Sequence, residues 1–296
     1  MKISFGSWAF AFGPYADHPV PFDAVARRIA EAGYDGVEIS GFPPHVSLDQ
    51  YPTSASRRQI SGLLKDLNLG VSCYTSDMTT VNPVVPGKKE KYLELFRRHV
   101  ELCVEIGSPA IRVDSVAAPG SIPEDEYQAS MDRVADIWHG AASVAEDAGV
   151  RVLWEFEPGF AFNKPSEVGY IHEKVAHWNF KLIFDTSHAY MCSVVGARHH
   201  GPKELLPGGP SELLQRLAPR IGHVHVIDSD GSLYGDETST HTPFGQGKVD
   251  FRALVPRLLA LPGVDWWCVD LCFCAGSWDL VESSLEYVRR ALAAAE

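Results

Sequence analysis

The chain has 296 residues, of which 45% are hydrophobic and 22% are charged, so its composition is that of a globular protein and excludes disordered and fibrous classes. Lysine and arginine total 26 against 38 aspartate and glutamate residues, and the formal charge of -12 argues against a nucleic acid partner because it repels phosphate. The sequence has no apolar run of the ~18 residues that a membrane span needs, and its apolar opening carries no recognisable cleavage signal. We therefore expect no membrane partner and a cytoplasmic location.

Stretches rich in β-branched and aromatic residues alternate with stretches of helical period along the whole chain. The predicted strands cover residues 3–10, 36–39, 71–74, 110–113, 152–157, 181–185, 222–227 and 266–271. The predicted helices cover residues 21–32, 54–69, 88–106, 123–148, 166–178, 211–217, 251–261 and 280–294. Gly33, Gly70, Gly107 and Gly149 follow the first helices, which is typical of helix ends.

This alternation predicts an α/β fold, a single (β/α)8 TIM barrel that spans residues 1–296 as one domain. Strands joined by helical crossovers run parallel, and no segment of linker-like composition divides the chain. An open, doubly wound sheet is the alternative. It lacks support because no G-x-G-x-x-G motif follows the first strand.

Polar side chains occur late in four consecutive predicted strands, where the reaction site of a closed barrel lies. They are Glu157, Asp185, His225 and Asp270. Taken singly, each has another explanation, because a strand-end aspartate can cap the next helix and a strand histidine can be a hydrogen-bonded core residue. Together, three carboxylates and an imidazole at one end of a barrel need a compensating cation.

The sequence therefore predicts a divalent metal site. Oxygen-rich coordination with one imidazole favours Mn²⁺, with Mg²⁺ or Co²⁺ as alternatives. Glu155 has the same side-chain parity as Glu157, and His223 the same parity as His225, so alternation alone leaves each pair open. Proximity to the strand end favours Glu157 and His225.

Short motifs near these positions follow a shared order along the chain. They are Gly33-Tyr34-Asp35-Gly36-Val37-Glu38, Glu157-Pro158, Asp185-Thr186-Ser187-His188, His225-Val226-Ile227-Asp228 and Pro243-Phe244-Gly245-Gln246-Gly247. In these motifs the chain resembles the xylose isomerase-like barrel superfamily, which includes sugar isomerases, epimerases, inosose dehydratases and family-2 AP endonucleases. The resemblance covers nearly the whole length.

The resemblance implies that Glu157, Asp185, His225 and Asp270 bind the metal, and that Glu157 and Asp270 are the acid/base pair of an epimerase. Asp270 departs from the family pattern, which has glutamate there, and this departure puts direct metal binding and the second base in doubt. His188 matches a substrate-contacting histidine, with support of Asp185 as the alternative. His241 stands near the place of a substrate-binding arginine or, in the endonucleases, of a metal-binding histidine, so it is a candidate acid, base or ligand.

Position alone adds further substrate-binding candidates at the same mouth, namely Trp8, Glu38, His45, Arg112 and Arg198. Each has a structural alternative: Trp8 can be ordinary packing, and Glu38 resembles a family glutamate that is often a structural hydrogen-bond partner. The segments 192–209 and 228–247 are long for barrel connections, and they are either lids or plain surface links.

These features predict a divalent-metal-dependent sugar isomerase or epimerase that removes a proton next to a carbonyl through a metal-stabilised enediolate. The alternative is a lyase or dehydratase that performs β-elimination on a 3-keto sugar, keto-glycoside or inosose. A non-catalytic metal- and sugar-binding barrel is a minor alternative. The expected partner is a small, unphosphorylated sugar or keto sugar, and a homo-oligomer is expected by family analogy only.

Overall fold

The computed structural model describes residues 1–295, in which eight parallel strands form a closed barrel. The strands are β1 (Lys2–Gly6), β2 (Gly36–Ser40), β3 (Gly70–Thr75), β4 (Ala110–Val113), β5 (Arg151–Glu155), β6 (Phe180–Asp185), β7 (Ile221–Val226), β8 (Leu233–Tyr234), β9 (Thr238–Ser239) and β10 (Trp266–Val269). The order around the barrel is β1-β10-β7-β6-β5-β4-β3-β2, and β8 and β9 pair separately as an antiparallel hairpin. The prediction of a (β/α)8 TIM barrel is confirmed.

Helices connect the barrel strands and cover them on the outside. They are α1 (Phe22–Glu31), α2 (Ser54–Asp66), α3 (Lys89–Ile106), α4 (Tyr127–Asp147), α5 (Pro165–Val175), α6 (Thr186–Tyr190), α7 (Gly209–Leu217), α8 (Phe251–Leu259) and α9 (Val281–Ala293). Local chemistry sets several ends: the Thr53 side chain accepts the Ser56 N–H at the start of α2, and Gly107 ends α3 with a φ of 78°. Within residues 1–295, no helix combines the length and the apolar character needed to cross a bilayer.

The chain leaves the barrel earlier than predicted at three strand ends that matter for the site. Strand β1 ends at Gly6, and Ser7–Phe10 form a 3-10 turn. A Cβ on Gly6 would lie 2.5 Å from ring atoms of Trp8, so glycine allows the indole to fold back over the strand end. Strand β5 ends at Glu155 and β10 at Val269. Glu157 and Asp270 therefore lie on the loops that follow these strands.

The core lies inside the barrel and between the strands and helices. All five residues of β2 are buried, as expected for a strand covered on both faces. Between β5 and α4, the indoles of Trp154 and Trp138 pack with ring centroids 5.0 Å apart. Trp154 directly precedes Glu155, the residue at which β5 ends.

Candidate functional site

A cavity of about 340 Å³ opens at the end of the barrel where the strands finish. Small-molecule sites typically have ~300–1,000 Å³, so this one suits a compact ligand. The predicted substrate-facing residues that line it are Trp8, Arg112, His188, Arg198 and His241, together with Glu157 and Asp270. Part of its wall is aromatic, made by Phe12, Phe42, Phe160 and Phe273.

Four buried side chains converge at the base of this cavity, and two of them, Glu155 and Asp270, line it. Glu155, Asp185, His225 and Asp270 each offer one ligand atom, and these atoms all lie within 4.8 Å of one another. Three further groups in residues 1–295 have ligand spacing, but each has only three members: Glu38, His223 and His225; Asp185, His188 and His241; and Glu155, Glu157 and His188. The group of four is therefore the largest set of donors in the described part of the chain.

The donors of this group fit a divalent cation. Glu155 Oε1, Asp185 Oδ2 and His225 Nδ1 are buried, and none has a hydrogen-bond partner among residues 1–295. Glu155 Oε1 and His225 Nδ1 lie 2.8 Å apart without the alignment of a hydrogen bond. Unpartnered polar atoms are costly in a protein interior, and a cation that accepted their lone pairs would remove this cost. The set of three carboxylates and one imidazole is typical of Mn²⁺ or Mg²⁺ sites, and it also suits Zn²⁺.

The two aspartates of the group are held through one oxygen each. Asp185 Oδ1 accepts the His188 backbone N–H at 2.7 Å and so caps α6, while its Oδ2 stays without a partner in the described chain. Asp270 Oδ1 accepts Trp8 Nε1–H at 2.7 Å and the Cys272 N–H at 2.8 Å. Burial opposes ionisation of Asp270, but nearby histidines and these hydrogen bonds hold its pKa well below the ordinary value. Asp270 is thus fixed as an anion.

Glu38 lies below the site and does not line the cavity. Its side chain is fully buried, and His225 Nε2 lies 3.1 Å from Glu38 Oε2, with His223 Nε2 2.7 Å from the same oxygen. The structure therefore does not bring Glu38 to the cavity with the other predicted substrate-binding residues, because β2 places it one layer deeper. Its contact with Nε2 leaves the Nδ1 of His225 to face the carboxylates.

Glu155, not Glu157, joins the four-residue group. Side-chain parity allowed either glutamate to be the ligand, and proximity to the predicted strand end favoured Glu157. In the structure, β5 ends at Glu155, and Glu157 lies on the loop that follows. Arg112 bridges the two: its Nε lies 2.7 Å from Glu155 Oε2 and its Nη2 lies 3.3 Å from Glu157 Oε1. The Thr238 hydroxyl donates to Glu157 Oε2. Burial raises the pKa of Glu157 to about 7, because Arg112 offsets it only in part and Glu155 adds to it.

Two histidines stand beside Glu157 and Asp270. His188 Nε2 lies 3.9 Å from Glu157 Oε2, and burial lowers the pKa of His188 to about 3, so its imidazole is neutral at pH 7. His241 is 4% exposed, and neither of its ring nitrogens has a hydrogen-bond partner in the described residues. Burial lowers the pKa of His241, but Asp270, whose Oδ1 is 3.3 Å from Nδ1, raises it overall to about 9.

The structure places His45 outside the site. His45 is fully buried, with Nε2 3.0 Å from the Val20 carbonyl oxygen and Nδ1 3.3 Å from Ser7 Oγ. His45 is therefore not among the cavity-lining residues, because the loop after β2 folds back against the chain that follows β1. Arg198 does line the cavity, and its Nη1 donates to the carbonyl oxygens of Glu237 at 2.7 Å and Pro158 at 3.3 Å.

Several residues of the site were not found by the sequence analysis. Glu155 was left as an alternative, and the aromatic wall and Thr238 were not predicted. Phe160 and Phe273 each follow a carboxylate, Glu157 or Asp270, by three positions, so loop residues just after a strand end were the available signal. No comparable signal marks Thr238, because its contact depends on the path of the hairpin.

Comparisons with known proteins agree with this architecture. The family model described as xylose isomerase-like TIM barrel matches residues 26–294. The inosose dehydratase of Serratia proteamaculans (strain 568) is 25% identical over 203 residues, a match that spans 62% of this chain and 64% of that enzyme. Two solved structures share the fold. One is a D-tagatose 3-epimerase-like protein, with 18% identity and a TM-score of 0.72 over 100% of this chain and 98% of that chain. The other is the IolI protein with a binding zinc atom, with 16% identity and a TM-score of 0.71 over 100% of this chain and 99% of that chain. The chain belongs to the xylose isomerase-like TIM barrel family.

Proposed function

We propose that this protein is a divalent-metal-dependent enzyme that removes a proton next to a carbonyl group of a small sugar or keto sugar. The observation that carries the proposal is the buried group of Glu155, Asp185, His225 and Asp270 at the base of a cavity of about 340 Å³. Its converging, unpartnered lone pairs suit a cation, and the cavity suits a compact polar substrate. The zinc in the IolI structure and the oxygen-rich donors here support a divalent ion, with Mn²⁺ as our first choice and Mg²⁺, Co²⁺ and Zn²⁺ as the comparison set.

The four residues of the group would hold the ion. When bound, a divalent ion polarises a substrate carbonyl and stabilises the negative charge that develops on its oxygen when the adjacent C–H loses its proton. Glu38 would keep His225 in the tautomer whose Nδ1 is free to ligate.

Glu157 is the best-placed proton acceptor. It lines the cavity, and Arg112 and Thr238 hold its two oxygens in a defined orientation. Its pKa of about 7 means that a substantial fraction is ionised at neutral pH, while its basicity exceeds that of an ordinary glutamate. Glu157 therefore takes the proton in this proposal rather than binding the ion.

Asp270 is poorly suited to the role of second base. Its Oδ1 accepts two hydrogen bonds and its pKa lies well below the ordinary value, so it holds a proton weakly. The second proton-transferring group is then a histidine. His241 lines the cavity, its Nδ1 forms an ion pair with Asp270 Oδ1 at 3.3 Å, and its Nε2 has no hydrogen-bond partner in the described chain. Its raised pKa suits an acid.

Two outcomes can follow proton removal. Return of the proton to the same or the neighbouring carbon gives an isomerase or epimerase. The placement of Glu157, His188 and His241 in segments that follow three different strands supports this candidate, because protons can be exchanged from more than one side. Loss of a β-hydroxyl gives a dehydratase. The hydrogen bonds that Asp270 already accepts favour this second candidate, because they leave Glu157 as the carboxylate base and a histidine as the acid. The Serratia relative, an inosose dehydratase, also supports it.

A deuterium experiment tests the proposal. The protein is loaded with Mn²⁺ in D₂O and incubated with ketoses, 3-keto glycosides and inosose, and ¹H NMR follows the loss of the substrate C–H signal. We expect exchange with at least one compound, and a new stereoisomer or an enone absorbance then separates epimerisation from elimination. Sugar-stabilised melting without any exchange would support a binding protein and contradict the proposed catalysis.

A further inference from the structure

Two neighbouring hydroxyl groups of the β8–β9 hairpin contact two different side chains that line the cavity, Glu157 and His188. Thr238 Oγ1 donates to Glu157 Oε2, and Ser239 Oγ lies 2.8 Å from His188 Nδ1. Thr238 is 9% exposed and Ser239 is fully buried, so water competes little with either contact. The hairpin thus touches both groups through side chains that carry no charge of their own.

The hairpin is tied to the loop that carries Glu157. Arg198 Nη1 donates to the carbonyl oxygens of both Glu237, next to Thr238, and Pro158, next to Glu157. The fit between the two loops is close, since a Cβ on Gly159 would lie 2.8 Å from Glu157 Oε2 and 3.3 Å from the Thr238 Cβ. The contact of Thr238 with Glu157 is therefore built into the way the loops pack.

We propose that Thr238 and Ser239 are positioning residues for proton transfer, which orient the Glu157 carboxylate and the His188 ring toward the cavity. The inference rests on the proposed function and deepens it. Arg112 holds Glu157 Oε1 and Thr238 holds Oε2, so the carboxylate cannot rotate. Ser239 engages the Nδ1 of His188, which leaves Nε2 as the nitrogen that faces Glu157, 3.9 Å from its Oε2. The hairpin would act on the reaction only through these two side chains.

Substitution at Thr238 tests the first contact. Thr238→Val removes the hydroxyl at nearly constant volume, Thr238→Ser restores it, and Thr240→Val is the matched control because the Thr240 hydroxyl accepts from Ser232 Oγ at 2.9 Å instead. The Mn²⁺-loaded variants are compared by the rate of inosose C–H exchange in D₂O. We expect Thr238→Val to lower kcat about 10- to 100-fold with KM changed by less than about threefold, as for a lost hydrogen bond to a charged group, and Thr238→Ser and Thr240→Val to stay within about threefold of the wild type.

Substitution at Ser239 tests the second contact without using activity. In ¹⁵N-labelled protein, long-range ¹H–¹⁵N NMR reports the tautomer of His188, and Ser239→Ala should change its Nδ1 signal while Ser232→Ala should not. Equal kcat losses in Thr238→Val and Thr240→Val, no rescue by Thr238→Ser, or an unchanged His188 signal in Ser239→Ala would overturn the inference. A wild-type protein that exchanges no proton with any compound of the panel would instead overturn the proposed function.

Discussion

The choice between Glu155 and Glu157 as the metal ligand on β5 leads to a direct test. Glu155→Gln and Glu157→Gln each remove one negative charge and keep the side-chain shape, but only Glu155 belongs to the four-residue group. Two unit charges ~4 Å apart interact by about 4 kcal/mol at an effective dielectric constant of ~20, and a glutamine oxygen can still ligate. We therefore expect Glu155→Gln to lose about 3 kcal/mol of Mn²⁺ affinity, a factor of about 100.

Calorimetric titration of chelator-treated protein with Mn²⁺ measures this difference. Glu157→Gln should weaken Mn²⁺ binding less than about tenfold, because Glu157 lies on the loop above the group and pairs with Arg112 and Thr238. The same variant should nonetheless abolish substrate C–H exchange, because Glu157 is the proposed base. Equal losses of Mn²⁺ affinity in the two variants would refute the assignment of Glu155 to the ion and Glu157 to the proton.

Three more predictions follow from the site and its surroundings. Chelation should abolish C–H exchange and lower the melting temperature, and added Mn²⁺ should restore both; full activity after exhaustive chelation would exclude a metal role. Glu38→Gln should weaken Mn²⁺ binding about 10- to 100-fold in the same titration, because Glu38 orients His225 from below. His45→Ala should leave KM and kcat unchanged but lower the free energy of unfolding in urea by about 1–3 kcal/mol, because it deletes a buried ring that is hydrogen-bonded to the Val20 carbonyl oxygen. A changed KM would indicate that His45 contacts the substrate after all.

The order of strands and helices could be predicted because the helical period and the strand alternation both depend on residues that are close together in the sequence. The strand ends were less predictable. The run 152–157 contains enough apolar and aromatic residues to extend a strand to Glu157, yet β5 stops at Glu155, where its pairing with the neighbouring β6 ends. An error of two residues preserves the side-chain parity, so it keeps a residue on the same face while moving it from the base of the cavity to the loop above.

The parts of the site that come from strand ends were accessible to sequence reasoning, and those that depend on loop paths were not. Asp185, His225 and Asp270 follow from the rule that parallel strands in a barrel end at one mouth. His45 also follows a barrel strand, β2, but its loop turns inward and its ring forms a hydrogen bond with the Val20 carbonyl oxygen. The contact between Thr238 and Glu157 joins residues 81 positions apart, and no local pattern encodes it.

The short carboxylate at position 270 links the geometry of the site to the reaction. The indole of Trp8 and the Cys272 N–H hold Asp270 Oδ1 by two hydrogen bonds, and Asp270 Oδ2 lies 3.7 Å from His225 Nδ1, within the group that would bind the ion. A carboxylate held in this way cannot swing toward a substrate carbon to take or return a proton. The proposed reaction then relies on unlike groups, the carboxylate of Glu157 and the imidazole of His241. In that proposal, an acid of the histidine type suits departure of a hydroxyl better than a symmetric exchange between two faces. An epimerase from this chain would therefore require a histidine to act as the base on the second face, which the product stereochemistry in D₂O would reveal.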